Sequence, residues 1–201
     1  MNTDTSEPWV RPVTLEGRMV RLEPLGRQHV ADLVEIGLDP ALWKWTQVLP
    51  ETEAQLRDYL DLALANAERG SEVPFATIRR ETGRAIGSTR FLTIVPEHRR
   101  LEIGWTWLGR DHQRSGANRE AKLLQLTHAF ETLRANRVEF KTDSRNEASR
   151  RALEGIGACF VGIFRSHTIR PWGPLRDSDY YSVIAGEWPD VKRHLEGLLE
   201  R

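Results

Sequence analysis

The chain has 201 residues, and Lys+Arg and Asp+Glu number 29 each, so its formal net charge is zero. That length holds one domain with a sizeable core, and the charge balance excludes a global field that would draw it to nucleic acid or to an anionic membrane. The single cysteine, Cys159, excludes an internal disulfide framework and a multi-cysteine zinc site, and no apolar run approaches the ~18 residues of a membrane span.

Residues 1–16 read as an N-terminal arm, polar and without the apolar stretch of a signal peptide, ahead of a single domain over 17–201. A cytoplasmic protein is expected. From Met19 to Leu25 apolar and polar residues alternate, as in a half-buried strand. Helical spacing follows over 28–38 and stops at Asp39-Pro40, because the residue before proline resists the α conformation. Thr52 and Gln55 predict a capping box opening a second helix, which Gly70 ends.

Three strands are predicted over 73–79, 85–94 and 100–108. In the last, period-two alternation places Leu101, Ile103, Trp105 and Trp107 on one face, and Glu102, Gly104 and Thr106 on the other. A helix over 118–134, a strand over 137–142, a helix opened by Ser144 and Glu147, strands over 158–165 and 179–185, and a helix from Pro189 complete the order. Cys159 is expected to pack as a small apolar group. Short hairpins require antiparallel pairs, and the strand–helix–strand passage over 100–142 requires a parallel crossover. The fold class is α/β, with a mixed sheet.

The sharpest chemical signal is His112-Gln113-Arg114-Ser115-Gly116-Ala117-Asn118-Arg119, between a strong strand and a strong helix. Gly116 permits a tight turn and close approach of a ligand. Free N–H groups at a helix start favour an anion, a phosphate above all. Arg114, Arg119 and Lys122 add positive charge within about one helical turn. An ordinary strand-to-helix turn with solvated basic residues is the competing reading. The segment is neither a P-loop nor G-x-G-x-x-G.

The same segment resembles the Q/R-x-x-G-x-G/A pyrophosphate loop of the GNAT N-acetyltransferases, with Gln113, Gly116 and Asn118 at the motif positions and Asn118 departing from the usual Gly or Ala. Glu102-Ile103-Gly104-Trp105 resembles the E-I-G-Y strand of the branch that acetylates ribosomal-protein alanine or serine, and Asn146-x-x-Ser149 with Gly157 resembles that branch's N-x-x-S…G segment. The resemblance covers roughly residues 17–188. It implies a mostly antiparallel central sheet with a parallel, splayed strand pair and helices on both faces. It implies acetyl-CoA as co-substrate and no metal.

On that resemblance the pantetheine arm lies against the strand at Trp105, Trp107 and Leu108. The pyrophosphate takes backbone N–H groups over Gln113, Arg114, Ser115, Gly116, Ala117, Asn118 and Arg119. Asn146 would bond pantetheine or a water, with helix capping as the alternative. Glu102 is the candidate general base, with a structural carboxylate as the alternative, and Ser149 the candidate donor to the sulfur. A tyrosine that many family members place seven residues after the motif Asn is here Leu153. Trp43 and Trp45, between the first two helices, and Trp172, in the late loop, form the candidate substrate pocket, with core packing as the alternative for the first two. Arg165, His167, Arg170 and Arg176 decorate the same late loop. The acceptor is expected to be a peptide or small-molecule amine, with no nucleic acid or membrane partner and a homodimer as the default assembly. A non-catalytic acyl-CoA-binding or sensor protein is the second hypothesis, kept open by Leu153.

Overall fold

The backbone hydrogen bonds of this chain close into one sheet whose strands run β1 (Leu15–Glu16), β2 (Val20–Pro24), β3 (Val73–Arg79), β4 (Ala85–Val95), β5 (Arg100–Leu108), β6 (Arg137–Asp143), β8 (Arg176–Ile184) and β7 (Cys159–Thr168) from edge to edge. The computed structural model describes residues 8–170 and 173–200. Every neighbouring pair is antiparallel except β5 and β6, which are parallel. Helices α1 (Val30–Gly37) and α2 (Glu53–Glu68) pack on one face. Helices α3 (Ala117–Thr127), α4 (Glu147–Gly155) and α5 (Trp188–Leu199) cover the other. The expected α/β fold with one parallel pair and helices on both faces is the observed one.

Local chemistry sets the element ends. Thr52 and Gln55 form the predicted capping box, and Gly70 adopts φ +69° just past α2. The α4 cap differs from expectation. Asn146 Oδ1 accepts the Ser149 N–H at 3.1 Å, whereas Ser144 is bonded to Asp179. The helix expected over 118–134 is α-helical only to Thr127 and continues as a π turn over His128–Thr132.

The described part of the arm, residues 8–16, is packed on the domain: Val10 is buried in the core, Trp9 Nε1 donates to the Leu133 carbonyl at 2.9 Å, and β1 pairs with β2. The expectation for Cys159 is corrected: it does not pack as an apolar group but is exposed at the start of β7, with its thiol 3.7 Å from Glu187.

A buried carboxylate ties the first strands to the helix that starts the candidate site. Glu120, in the first turn of α3, accepts the backbone N–H groups of Arg18, Met19 and Val20 at 2.8, 2.7 and 2.7 Å. Backbone donors left unpaired here would each cost the desolvation of a polar group. Glu120→Ala is expected to lower unfolding stability by about 3 kcal/mol, read from urea denaturation. A change below about 1 kcal/mol would show that water replaces the carboxylate.

Candidate active site

The site begins where β5 and β6 stop pairing. Their register holds only for Arg100–Glu102 against Arg137–Glu139, and beyond it the strands part. On the other side of β5, Gly104 pairs with Arg90 and Trp107 with Ser88, so Trp105 and Thr106 together oppose one residue of β4. This is a β-bulge, and Trp105 takes φ +49° in it. The extra residue reverses the alternation. Leu101 and Ile103 belong to the core under α3 and α5, whereas Trp105 and Trp107 belong to the core under α1 and α2. The expectation that the four share one face is therefore corrected. Glu102 and the two tryptophans lie on the same side of the sheet.

A cavity of about 230 Å³ fills the gap between the parted strands. Its walls are Ile103–Thr106 of β5, Phe140 and Lys141 of β6, Asn118 and Lys122 of α3, and Ser149 and Leu153 of α4. Asn118 Oδ1 is buried there without a hydrogen-bond partner. At one end, Gly116 forms the N-cap of α3 with φ +86°. A Cβ on it would stand 3.0 Å from Met19 Cε. Gln113 ties this loop to the strand by donating from Nε2 to the Leu108 carbonyl at 3.1 Å, and Ser115 Oγ donates to the His112 carbonyl at 2.7 Å. The N–H groups of the first turn, Ala117 to Arg119, lie at the positive end of the helix dipole.

The basic residues near the loop do not act together as expected. Arg114 is exposed, but Arg119 donates to the Leu198 carbonyl at 3.1 Å. Lys122 turns inward, donating to Thr106 Oγ1, Gln125 Oε1 and Thr89 Oγ1 at 2.8, 3.1 and 3.2 Å. All three acceptors are neutral, and burial pulls the amine's pKa down to about 7.

Glu102, 4% exposed, does not line the cavity; its side chain lies on the other side of the sheet from α3 and α4. A Cβ added to Gly104 would meet its Oε1 at 3.1 Å, so the carboxylate overhangs a residue of the cavity wall. Lys141 Nζ and Thr93 Oγ1 each approach Oε2 at 3.4 Å. Burial raises the Glu102 pKa, and the charge and hydrogen bond of Lys141 offset this only in part. Ser149 lines the cavity, and Asn146 caps α4 through its side-chain oxygen.

The aromatic residues separate. Trp43 is fully buried, donates from Nε1 to the Gly37 carbonyl at 2.7 Å, and packs on Tyr59 and Trp107 at 5.2 and 5.3 Å. The structure places it in the core and not on a pocket wall. Trp107 and Leu108 are likewise buried in the two cores and do not line the cavity. Trp105 is half-buried, with the Arg90 guanidinium 5.3 Å from its ring. Trp45 is half-buried against Lys44, Arg145 and Arg170 at 4.8, 5.5 and 5.7 Å. Trp172 lies outside the described residues. Lys141, Arg90 and Asp143 were not singled out from the sequence. The charged positions Glu139, Lys141 and Asp143, alternating along β6, were the signal available for a polar face.

Lys122 makes stability pH-dependent in a defined direction. Its folded pKa is lowered to about 7, against roughly 10.4 unfolded. Between those values the unfolded chain binds more protons, so stability rises with pH, and below about 7 the full cost of the buried charge is present. Lys122→Met is expected to flatten this rise. Urea midpoints of both proteins at the two ends of the window check it, and parallel pH dependences would contradict the burial argument.

The acetyltransferase (GNAT) domain family matches residues 19–158. The uncharacterized N-acetyltransferase p20 of Bacillus licheniformis is 28% identical over 176 residues, covering 87% of this chain and 98% of that one. A T. thermophilus protein assigned as an acetyltransferase is 41% identical with a TM-score of 0.86, over 95% of this chain and 99% of that one. A GCN5-related N-acetyltransferase from Brucella melitensis is 32% identical with a TM-score of 0.88, over 96% and 87%. The Mycobacterium smegmatis RimJ, solved in complex with CoA-disulfide, shares the fold at 20% identity and a TM-score of 0.77, over 93% and 95%. The chain belongs to the acetyltransferase (GNAT) domain family and is an N-acetyltransferase.

Proposed function

We propose that the chain transfers the acetyl group of acetyl-CoA to a primary amine, an α-amine or a small amine in preference to a lysine side chain, by direct attack with both substrates bound. The observation that carries this reading is the cavity between parted β5 and β6, with the first turn of α3 on its wall and the buried Glu102 carboxylate packed against Gly104 of the same wall from the other side of the sheet. Bound acetyl-CoA supplies the acetyl thioester. Backbone groups of Trp105–Leu108 that β6 leaves unpaired suit an extended amide-containing arm, and the unpartnered Asn118 Oδ1 offers it a buried acceptor. The loop Gln113–Arg119 suits a pyrophosphate at the start of α3.

Glu102 takes a proton from the incoming ammonium, directly or through a water. A carboxylate with a raised pKa is a stronger base than an ordinary one, and Lys141 beside it favours its ionised form. The amine nitrogen forms its bond to the acetyl carbon as the carbon–sulfur bond breaks. Ser149, on the cavity wall, donates to the leaving sulfur where Leu153 offers no hydroxyl. An α-amine of pKa near ~7.7–8.0 yields its proton at about 3–4 kcal/mol less cost than a lysine near ~10.4. The half-buried Trp45 forms the aromatic wall. The homodimer has one support: the end strand β7 exposes Phe160, Val161, Ile163 and Phe164.

Two variants test the loop and the carboxylate. Gly116→Val puts a β-branched side chain at φ +86° and fills the approach to the loop. It is expected to weaken CoA binding at least about tenfold, read by calorimetry on protein that still unfolds cooperatively. Unchanged affinity would remove the loop from the cofactor site. Glu102→Gln is expected to lower kcat/KM by about 10²-fold near neutral pH, with the deficit shrinking as the amine deprotonates unaided. A wild-type pH profile in the variant would make Glu102 structural and leave the proton to water.

A further inference from the structure

One buried cation on the Glu102 side of the sheet has too few partners. Arg176 opens β8, facing the same side as Asp143 and Tyr180, and is 6% exposed. Its Nε has no hydrogen bond. The contacts it makes are long: 3.5 Å to the Trp45 carbonyl and 3.9 Å to Asp143 Oδ2. A guanidinium carries five donors, and leaving them unmet in a buried site is costly.

Asp143 is already occupied. Its Oδ1 accepts Arg145 N at 2.9 Å and Nε at 3.1 Å, and its Oδ2 accepts Arg145 Nη2 at 3.2 Å and the Arg170 guanidinium. One carboxylate thus serves three arginines, and Arg176 is the worst paired. Arg170 Nε is also buried without a partner. The neighbouring carboxylate, Glu102, is bound to Lys141 and Thr93. Burial pulls the Arg176 pKa down, and the charges of Asp143 and Glu102 return only part of it. Glu102 and Arg176 face the same side of the sheet, with Lys141 bonded to Glu102 and paired with Tyr180 of β8 between them, and the Trp45 carbonyl sits at the arginine end. An acceptor whose amine lies at Glu102 and whose chain runs along this side of the sheet towards Asp143 would meet that cation.

We propose that Arg176 is a specificity residue that reads a carboxylate on the acceptor, so that the enzyme takes amines which carry a carboxylate of their own. A carboxylate at this place would give Arg176 the charged, forked hydrogen bonds it lacks. It would also bring the cluster's charge towards balance. This rests on the acetyl-transfer reading above. The carboxylate can be the α-carboxylate of a free amino acid or the acidic side chain of the residue after a peptide's N-terminus.

Matched acceptor pairs separate these sources. Methionine against methioninamide tests the α-carboxylate. Ala-Asp-amide against Ala-Asn-amide tests the side-chain carboxylate. Thiol release is measured with each under saturating acetyl-CoA. In one pair the acid is expected to have a KM at least about tenfold lower than its neutral partner in the wild type. Arg176→Gln is expected to erase that ratio while the acetyl-CoA KM stays within about twofold, and Arg176→Lys to keep part of it. Comparing variant with wild type cancels differences in amine pKa within a pair. Equal KM values within both pairs of the wild type, a result needing no variant, would overturn the inference and leave acetyl transfer standing. CoA release with none of the four acceptors, nor with any other amine, would overturn the acetyl-transfer reading itself.

Discussion

The separation of β5 from β6 after Glu102 is the constraint on which the site depends. A parallel pair that ends after three residues leaves a row of backbone donors and acceptors without a ladder partner. Buried groups of that kind must be met by something else. Here the gap is closed off by α3 and α4 into a cavity, so the partner has to be water or a ligand that resembles a strand. The bulge at Trp105 makes the separation possible by bending β5 away while β4 keeps its pairing on the other edge. A tryptophan at φ +49° is strained on its own. Contacts of its ring with Tyr59 at 5.9 Å and Arg90 at 5.3 Å hold it there. The hydrophobic packing of α2 is thus what maintains an irregular backbone at the site.

Charge is arranged locally within a chain of zero net charge. Glu120 is held by three backbone N–H groups, and Arg90 by Glu72 at 2.8 Å. Lys122 has only neutral partners, and burial lowers its pKa to about 7. On the α3 side of the sheet the buried Glu120 and Lys122 are thus met by neutral donors and acceptors. The Glu102 side does the opposite, grouping Arg145, Arg170 and Arg176 about Asp143. Such a group is expensive to build and is retained where it meets a ligand or fixes a loop.

Strands with strict alternation and turns with definite chemistry were legible from the residues alone. β3 and β5 have the predicted bounds, and Thr52 and Gln55 cap α2 as expected. The bulge was not legible. Leu101, Ile103, Trp105 and Trp107 keep a perfect period of two, and a one-residue insertion in the pairing leaves no mark on that pattern. The error carried over to Glu102, which shares its side with the tryptophans. Directions of long side chains were equally hidden. Lys122 and Arg119 fall near the loop in sequence, yet one turns into the core and the other bonds the end of α5. Trp43 and Trp45 differ by two positions, and only the fold shows that one is core and the other borders the arginines.

These differences follow from how the two halves of the site are made. The proposed cofactor half is mostly backbone: a strand left unpaired, a glycine at positive φ and the start of a helix. Such a half tolerates Asn118 at its last motif position, because the groups that suit a pyrophosphate are main-chain N–H groups. Its signature is short, local and readable. The proposed acceptor half draws on side chains from β4, β5, β6, β8 and the connection before α2. No window of sequence contains Glu102, Lys141, Trp45 and Arg176 together. Their sharing one side of the molecule is a property of the sheet order, in which β8 is inserted between β6 and β7 and so brings Arg176 opposite Thr168 and near Asp143. A family with one cofactor and many acceptors would be expected to divide its site in this way, with fixed chemistry in the backbone and variable chemistry in side chains drawn from distant strands.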